Sequence, residues 1–361
     1  MKKILKNMSF AVIALGAIII AGCSSNSEND NSENESSGSD SNQKEMTVRI
    51  AYNLQKEHSV GVYFETLAEE IEKRTENASI KLKTQTFPDG QLYNDTQMVD
   101  AISQGGVEIG GINAGMISSD SAQLLESFDM PFLFKSWSAE KAALNGEYGK
   151  VISEDFEKLK VKVIGWAKYG TGGVYGNFEI NQPDDIKNMK IRSVGKSVTE
   201  WLEDVGASPT SMSSQEVFQA LERKMIDGYI TGNSSVIDRS FYEVTQNAID
   251  LTLTHTSFPV GANLEWWNGL PEDVQNAILE ANKVAFDLAF DKAFQDNEKY
   301  KEKMKESGMN IYQPNEEELQ AWYDSATKIH EEFAQKSDTA KQLMEYIDKL
   351  NEQYPIESDN K

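Results

Sequence analysis

Short runs of alternating hydrophobic and polar residues open the folded part of the chain, and helical spacing follows each run. Val48, Ile50 and Tyr52 alternate with polar residues, which predicts a β-strand. Apolar positions then recur every three or four residues, which predicts a helix carrying Val60, Phe64, Leu67 and Ile71. The same order continues with a strand at 80–82, a helix at 98–102 and a strand at 107–112. This alternation predicts an α/β fold with a parallel sheet and right-handed crossovers.

A second segment with the same character lies between Asn188 and Asn233. It begins with a short strand at Lys190–Arg192, followed by a helix that carries Trp201. The residues from Ser213 to Glu216 fit a capping box, which predicts the start of a second helix. A strand over 225–230 closes the segment. We therefore predict a strand–helix–helix–strand crossover in a parallel sheet, the kind of unit that binds ligands at its strand ends.

The rest of the chain predicts further strands and several helices. Strands are predicted at Val161–Trp166, Tyr175–Asn181 and Phe258–Leu264. Glycines dominate 169–173, but the lysine–hydroxyl pair and the following helix of a phosphate loop are missing there. We interpret that segment as a hinge or a strand edge. Helical patterns cover 138–159, 234–242, 271–307, 315–335 and 338–353. The helix over 271–307 would extend roughly 55 Å.

The first 45 residues have the pattern of an export signal followed by a tether. A basic start precedes an apolar core over 10–21 that is too short to span a bilayer comfortably. Ala21-Gly22-Cys23 resembles a bacterial lipobox, which implies cleavage before Cys23 and lipid modification of its thiol. An uncleaved anchor with an idle thiol is the alternative. Residues 24–45 are acidic and contain no large apolar residue, which predicts a disordered tether.

Charge and composition exclude several classes of function. The chain has 361 residues and a net charge of −23, so binding to nucleic acid has almost no support. Cys23 is the single cysteine, which rules out an intramolecular disulfide. The three histidines, His58, His255 and His330, lack metal-ligand spacing, and there is no Gly-x-Ser-x-Gly nucleophile elbow. We therefore predict no enzyme activity, no cofactor and no metal site.

Several motifs, taken together and in order, resemble one known family. Four lie in the segment from Asn188 to Asn233: Lys190-Ile191-Arg192, Val205-Gly206-Ala207-Ser208-Pro209-Thr210-Ser211-Met212, Glu216-Val217-Phe218-Gln219-Ala220-Leu221 and Ile226-Asp227-Gly228. Three lie outside it: Phe87-Pro88-Asp89-Gly90-Gln91-Leu92, Met130-Pro131-Phe132-Leu133-Phe134 and Leu270-Pro271-Glu272-Asp273-Val274-Gln275. The set is similar to the DctP-type solute-binding subunit of tripartite ATP-independent periplasmic (TRAP) transporters, here in lipoprotein form.

This resemblance implies a two-domain periplasmic-binding-protein-like α/β fold with hinge strands and a long domain-spanning helix. The expected divisions are a signal peptide over 1–22, a lipidated tether over 23–45, domain I over 46–168 plus 258–297, domain II over 169–257 plus about 298–325, and C-terminal helices over 326–361. The hinge strands are expected near Ala167–Gly170 and Thr256–Phe258. The implied function is capture of an organic anion, most plausibly a carboxylate, and its delivery to TRAP membrane subunits, with the protein anchored by lipid on the extracytoplasmic face of the cell membrane.

Arg192 is the main candidate for the ligand contact. It ends an apolar strand, where a cleft between domains would lie, and a guanidinium presents parallel donors that match a carboxylate. The resemblance places it at the family's ligand arginine. A structural salt bridge to one of the 58 acidic residues is the alternative. Other positions carried over from the family are Asn53, Asn113, Trp166, Tyr169, Ser214 and Thr231, each of which could instead be a cap, turn or core residue.

Two positions depart from the family pattern. Many members carry a second arginine where this chain has Gly172, and many carry asparagine where it has Thr231. The loss of the second arginine weakens the case for a strongly dianionic or sialic-acid-like ligand. Lys168 is one candidate to replace it.

Other functions remain open at this point. The receptor of an ATP-driven importer would use the same hinge motion with a different membrane partner, and a sensory protein could present a ligand to a membrane kinase. A surface hydrolase would need a nucleophile or metal cluster that the sequence does not contain. The single long helix favours the TRAP class.

Overall fold

The computed structural model describes residues 43–117 and 120–355. The predicted signal peptide, Cys23 and nearly all of the predicted tether lie outside the described residues. Within them, ten strands form one sheet in the order β2-β1-β3-β9-β4-β7-β5-β6, with β8 paired to β4 and β10 paired to β8. We call β1, β2 and β3 with their helices the first half of the sheet, and β5, β6 and β7 with their helices the second half.

The first half follows the predicted order of elements. β1 (Lys44–Ala51) pairs in parallel with both β2 (Ile80–Phe87) and β3 (Ile109–Gly111). Helices α1 (Ser59–Thr75) and α2 (Met98–Ser103) connect them. The four residues that predicted α1 are completely buried, so the helical spacing correctly identified the face that packs on the sheet.

Two long antiparallel strands, β4 (Val161–Gly176) and β9 (Thr254–Asn263), join the two halves. The prediction of separate strands at Val161–Trp166 and Tyr175–Asn181 is wrong, because the glycine-rich segment lies inside β4. Pairing with β9 on one edge and with β7 on the other holds this segment extended despite its low intrinsic strand preference. The β4–β9 register shifts between Lys168 and Gly170, where Gly170 adopts a φ of 138° that favours glycine.

The second half contains a strand that the hydrophobic pattern did not predict. β5 (Lys190–Ser193) is followed by α5 (Lys196–Asp204), β6 (Ser208–Ser211), α6 (Val217–Glu222) and β7 (Gly228–Gly232). The unit is therefore strand–helix–strand–helix–strand, and not the predicted crossover with two helices in succession. β6 lies at the edge of the sheet and is largely exposed, so it needs no apolar side chains and tolerates Pro209.

The long helix is α9 (Glu272–Glu306), whose 35 residues span about 52 Å. This confirms the predicted helix over 271–307 apart from its terminal residues. Val274, Ile278 and Ala281 belong to the same apolar cluster as Val60 and Ile71 of the first half. Met304, near the other end, packs in the cluster that contains Tyr229 and Phe241 of the second half. One helix therefore contributes to the cores of both halves.

Two of the remaining helical patterns are each divided into two helices. The helix over 138–159 is divided into α3 (Trp137–Leu144) and α4 (Glu147–Glu157), and that over 315–335 into α10 (Glu316–Asp324) and α11 (Thr327–Ala334). The predicted last helix is confirmed as α12 (Asp338–Gln353). The other elements are α7 (Asn233–Asp238), β8 (Asn247–Ile249), α8 (Leu264–Asn268) and β10 (Asn310–Tyr312).

Candidate functional site

A cavity with about 500 Å³ of empty space, part of it open to solvent, lies where the two halves of the sheet meet. Its wall is formed by the loops that follow β1 and β3, the ends of β5 and β7, the middle of β4 and the first half of β9, among other segments. Six of the predicted site residues line it: Asn53, Asn113, Tyr169, Arg192, Ser214 and Thr231.

Arg192 lies on the wall of this cavity with only 1% of its surface exposed. Its Nη1 donates to the backbone oxygen of Ile230 at 2.9 Å, while Nε and Nη2 donate to the backbone oxygen of Met212 at 3.2 and 3.1 Å. Burial lowers the pKa of Arg192, and nearby carboxylates oppose that effect. Among the described residues no acidic side chain forms an ion pair with it, so the alternative of a structural salt bridge is not what the structure shows.

The fixed orientation of this guanidinium leaves donor capacity for a ligand. A guanidinium has five N–H groups, and the contacts to Ile230 and Met212 use three of them. The two others belong to Nη1 and Nη2, the pair of nitrogens that can bind a carboxylate with two parallel hydrogen bonds. Arg192 is therefore a buried cation, positioned by backbone oxygens, at the wall of the cavity.

Asp95 joins the two halves across the cavity wall. It lies in the loop before α2, whereas Ser213 and Ser214 lie in the loop before α6. Its Oδ1 accepts from Ser213 Oγ at 2.8 Å, and its Oδ2 accepts from Ser214 Oγ at 2.9 Å and Ser214 N at 3.2 Å. The predicted capping box is present in part, because the Glu216 carboxylate accepts from Ser213 N at 3.0 Å. The Ser213 hydroxyl donates to Asp95 and thereby helps to connect the halves.

Asp129 is a second carboxylate on the wall, and no motif in the sequence identified it as a site residue. It lies within the run 127–134, whose apolar residues are typical of a protein core, and it is only 4% exposed. Its Oδ2 has no hydrogen-bond partner among the described residues. A Cβ at Gly115 would overlap the carboxylate, and one at Gly195 would lie 2.6 Å from Oδ2. Burial raises the pKa of Asp129 to about 7, although the positive charge of Arg192 opposes this.

Arg239 is a second cavity cation that the sequence analysis missed. It follows α7 directly, and its Nη2 donates to the backbone oxygen of Asn53 at 2.9 Å. Its Nε is buried without a partner in the described part of the chain. The Asn53 Oδ1 is likewise buried and unpaired there. No local pattern distinguishes Arg239 from a surface arginine, since its position depends on contact with the first half of the sheet.

Tyr169 forms part of the cavity wall through contacts with both halves. Its ring stacks on Phe258 with centroids 5.3 Å apart, and its hydroxyl lies 2.7 Å from Ser235 Oγ. His58 packs beside it at 5.0 Å. The His58 Nδ1 accepts from Val60 N at 3.0 Å, so the neutral ring has its proton on Nε2 and donates to Ser234 Oγ at 2.9 Å. Burial, reinforced by Arg239, lowers the pKa of His58 to about 3.

Trp166 does not line the cavity. It is 8% exposed and packs in the apolar core, with its ring 5.8 Å from that of Phe128. Side chains alternate between the two faces of a strand, and Trp166 packs in a different apolar cluster from Tyr169. The expected role of Trp166 as a cleft aromatic therefore has no support from its location, whereas Tyr169 does lie at the cavity.

Lys168 also lies away from the cavity. It is completely buried, forms an ion pair with Glu140, and its Nζ lies 4.4 Å from the centre of the Trp137 ring. Glu140 in turn accepts from Ser257 Oγ at 2.8 Å. Lys168 is therefore engaged in a buried network between α3, β4 and β9, so the suggestion that it replaces the missing family arginine is wrong.

At Gly172, the position where the family resemblance implies an arginine in many members, there is no free space for a side chain. A Cβ there would collide with Thr254 Oγ1 and would lie 3.3 Å from the backbone oxygen of Thr231. Thr254 itself lines the cavity. Arg239 is the residue that brings a second guanidinium to this cavity, from another element and another position in the chain.

Among the described residues, no group of three or more histidine, cysteine, aspartate or glutamate side chains is arranged to hold a metal ion. None of the described helices is long and apolar enough to cross a membrane.

Comparison with known proteins agrees with the fold. Residues 50–337 match the model of the DctP family, bacterial extracellular solute-binding protein family 7. The chain belongs to this family. A curated relative, the C4-dicarboxylate-binding periplasmic protein DctP of Rhodobacter capsulatus, is 27% identical over 270 residues, which cover 74% of this chain and 80% of that protein. The C4-dicarboxylate-binding protein DctB of Bacillus subtilis is 24% identical over 264 residues, covering 72% and 74% of the two chains.

Solved structures show the same two-domain fold. A TRAP periplasmic solute-binding protein from Shewanella oneidensis, with bound succinate, has a TM-score of 0.78 at 22% identity and covers 84% of this DctP-family chain and 99% of that chain. Another from Anaerococcus prevotii, with bound D-glucuronate, has a TM-score of 0.79 at 24% identity and covers 86% and 99%. The predicted fold class, a two-domain α/β fold of the periplasmic-binding-protein type, is confirmed.

Proposed function

We propose that this protein is the extracytoplasmic receptor of a TRAP transporter, and that it captures an organic anion bearing a carboxylate in the cavity beside Arg192. The observation that carries the proposal is a fully buried guanidinium on the cavity wall that is held by backbone oxygens and not by an acidic side chain. Membership of the DctP family and relatives described as C4-dicarboxylate-binding proteins support the same conclusion.

The ligand-binding roles of the individual residues follow from their location. Arg192 binds the carboxylate, and Arg239 supplies a second positive charge. Asn53, Asn113, Tyr169, Ser214 and Thr231 complete the wall and contact the rest of the ligand. Because the wall combines residues from both halves of the sheet, a bound ligand favours the conformation in which the halves are closed.

Closure requires a hinge, and the irregular part of β4 has the expected properties. The register shift at Lys168–Gly170 lies opposite Thr256 and Ser257 of β9, inside the predicted hinge segments Ala167–Gly170 and Thr256–Phe258. The two domains would then be 46–168 plus 258–297 and 169–257 plus about 298–325, with the C-terminal helices over 326–361. Gly170, with its φ of 138°, is a position where rotation meets little steric resistance.

The lipobox-like sequence before Cys23 supports a membrane-anchored form of the receptor, with acidic residues 24–45 as the tether. The closed receptor would deliver its ligand to the TRAP membrane subunits, which use an ion gradient. Replacing Cys23 with serine should release the protein from membranes into the medium, and mass spectrometry of the wild-type protein should show an acylated Cys23.

The binding proposal is tested by calorimetric titration of the purified protein with a panel of mono- and dicarboxylates. We expect at least one carboxylate to bind, and Arg192→Ala to weaken its binding by roughly 2–5 kcal/mol. Arg223→Ala is the matched control, because Arg223 is an exposed arginine in the same half of the sheet. Equal affinity in wild type and Arg192→Ala, for the compound that binds best, would contradict the proposal.

A further inference from the structure

We infer that Asp129 selects ligands that carry a hydroxyl group beside their carboxylate, so that this receptor binds hydroxy acids in preference to unsubstituted acids of the same length. The inference rests on the proposed function and specifies its substrate class. It starts from the unpaired polar atoms of the cavity wall, which show what a bound molecule must supply.

Three residues that line the cavity each carry a buried polar atom with no hydrogen-bond partner among the described residues: Asn53 Oδ1, Asp129 Oδ2 and Arg239 Nε. Buried polar groups in folded proteins are nearly always paired, because an unpaired group loses its hydration without compensation. Arg239 Nε is a donor and can be paired by a ligand carboxylate oxygen. The two others are acceptors, and a carboxylate has no proton to offer them.

Asp129 decides between ligand classes more clearly than Asn53 does. An asparagine amide can turn and present its NH₂ group to an anion, so the unpaired Asn53 Oδ1 is satisfied by more than one kind of ligand. A carboxylate has no NH₂ group and can present only its oxygen atoms. The Asp129 side chain is also fixed in place, because Gly115 and Gly195 lie against its carboxylate. An unsubstituted acid such as succinate would leave an ionised Asp129 without a donor.

The two carboxylates on the wall differ in what they leave for a ligand. Asp95 accepts three hydrogen bonds from Ser213 and Ser214, so both of its oxygens are already paired. Asp129 is the carboxylate with an unpaired oxygen at the cavity. A hydroxyl group suits Asp129 in either protonation state, since it can donate to a carboxylate or accept from a carboxylic acid.

A ligand ammonium group is the other donor that could pair with Asp129. The same cavity holds the guanidinium groups of Arg192 and Arg239, and Asp95 is already engaged by serine hydroxyls. A cationic group on the ligand would therefore meet two positive charges on the wall. A neutral hydroxyl avoids that repulsion, so we assign the donor as a hydroxyl.

The test uses pairs of acids that differ in their hydroxyl groups: lactate with propionate, L-malate with succinate, and D-gluconate with hexanoate. L-Aspartate is added as the amino analogue of L-malate. Calorimetric titration of the purified full-length protein gives each dissociation constant. We expect the hydroxylated member of the best-binding pair to bind roughly 10 to 100 times more tightly than its partner, as for a hydrogen bond to a charged acceptor.

Asp129→Asn and Asp129→Ala should each lower this ratio of affinities toward one. Asp129→Asn keeps the size of the side chain, so a loss of preference in that variant does not depend on a change in packing. Asp95→Asn is the matched control, because it changes a carboxylate that is already paired. It should weaken both members of the pair by a similar factor and leave their ratio as it is in wild type.

The outcomes separate this inference from the proposed function. If carboxylates bind through Arg192 but the unsubstituted or amino acid binds as tightly as the hydroxy acid, the assignment of Asp129 is wrong and the receptor function stands. A hydroxyl preference that persists unchanged in both Asp129 variants also overturns it. If no acid of any kind binds, the proposed function itself is wrong, and the inference is overturned with it.

Discussion

The carboxylate of Asp95 is bound to Ser214 by two hydrogen bonds, from the hydroxyl at 2.9 Å and from the backbone N–H at 3.2 Å, although 119 positions separate the two residues. Ser213 adds a third bond to the other carboxylate oxygen. These contacts connect the loop before α2 to the loop before α6, on opposite halves of the sheet. They therefore stabilise the arrangement in which the cavity is enclosed.

We predict that Asp95→Asn increases the rate of ligand dissociation. An amide nitrogen cannot accept a hydrogen bond, so the variant loses at least one of the bonds from the two serines, and a bond to a charged group contributes about 1.5–3 kcal/mol. We expect dissociation to be about tenfold faster or more, with little change in the association rate. Stopped-flow measurement with a bound carboxylate gives both rates. Asp100→Asn, an exposed aspartate on neighbouring α2, is the control. An unchanged dissociation rate in Asp95→Asn would show that the contact does not hold the closed form.

Arg239→Gln should weaken carboxylate binding by a factor of roughly 10 to 100, because it removes a half-buried cation from the cavity. The glutamine can retain a hydrogen bond to the backbone oxygen of Asn53, which Arg239 Nη2 now contacts at 2.9 Å. Calorimetry with the best-binding acid measures the effect, and Arg223→Gln serves as a surface control. If Arg239→Gln binds that acid as well as wild type does, the second positive charge has no role in binding.

Gly172→Ala should destabilise the protein by about 1–3 kcal/mol, as for a small residue enlarged in a packed site. The added Cβ would collide with Thr254 Oγ1. In a Thr254→Ala background that oxygen is absent, so Gly172→Ala should lower the free energy of unfolding by a smaller amount. The free energy of unfolding of the two single variants and the double variant, measured with urea, gives the coupling between the sites. Strictly additive effects would mean that Thr254 does not occupy the space beside Gly172.

The stability difference between wild type and Asp129→Asn should depend on pH. The pKa of Asp129 is raised from 3.8 to about 7, so between these values the native protein binds more protons than the unfolded chain does. The free energy of unfolding attributable to Asp129 therefore falls as pH rises through this window, by up to about 4 kcal/mol. The asparagine variant has no such group, so its free energy of unfolding should increase relative to that of wild type as pH increases from 4 to 8.

His58 acts in the opposite direction and has to be separated from this effect. Its pKa is lowered to about 3 from 6.5, so its contribution to stability is complete above pH 6.5 and is lost as pH falls toward 3. Since His58 is present in both proteins, the difference between their urea-unfolding free energies isolates Asp129. A difference that stays constant from pH 4 to 8.5 would show that burial does not raise the pKa of this carboxyl.

Local sequence patterns were sufficient to predict the fold class and the elements with a strong hydrophobic period. Helices α9 and α12 were predicted close to their observed bounds, and helix α1 and strand β1 at the correct place in the chain, because one buried face produces a regular spacing that can be read locally. Arg192 was also predicted to be a ligand contact, since a charge at the end of an apolar strand is a local signal and the surrounding motifs resemble a known family. Its presence on the cavity wall, without an acidic partner, required the structure.

Contacts between distant segments determine which other residues share that wall and which elements are continuous. Edge strand β6 has no hydrophobic face, and β4 passes through glycines, so pairing with neighbouring strands and not local preference forms both. Trp166 and Lys168 lie in the core, whereas Asp95, Asp129 and Arg239 reach the cavity. Each of these placements depends on contacts between segments far apart in the chain, and no spacing within a single segment encodes them.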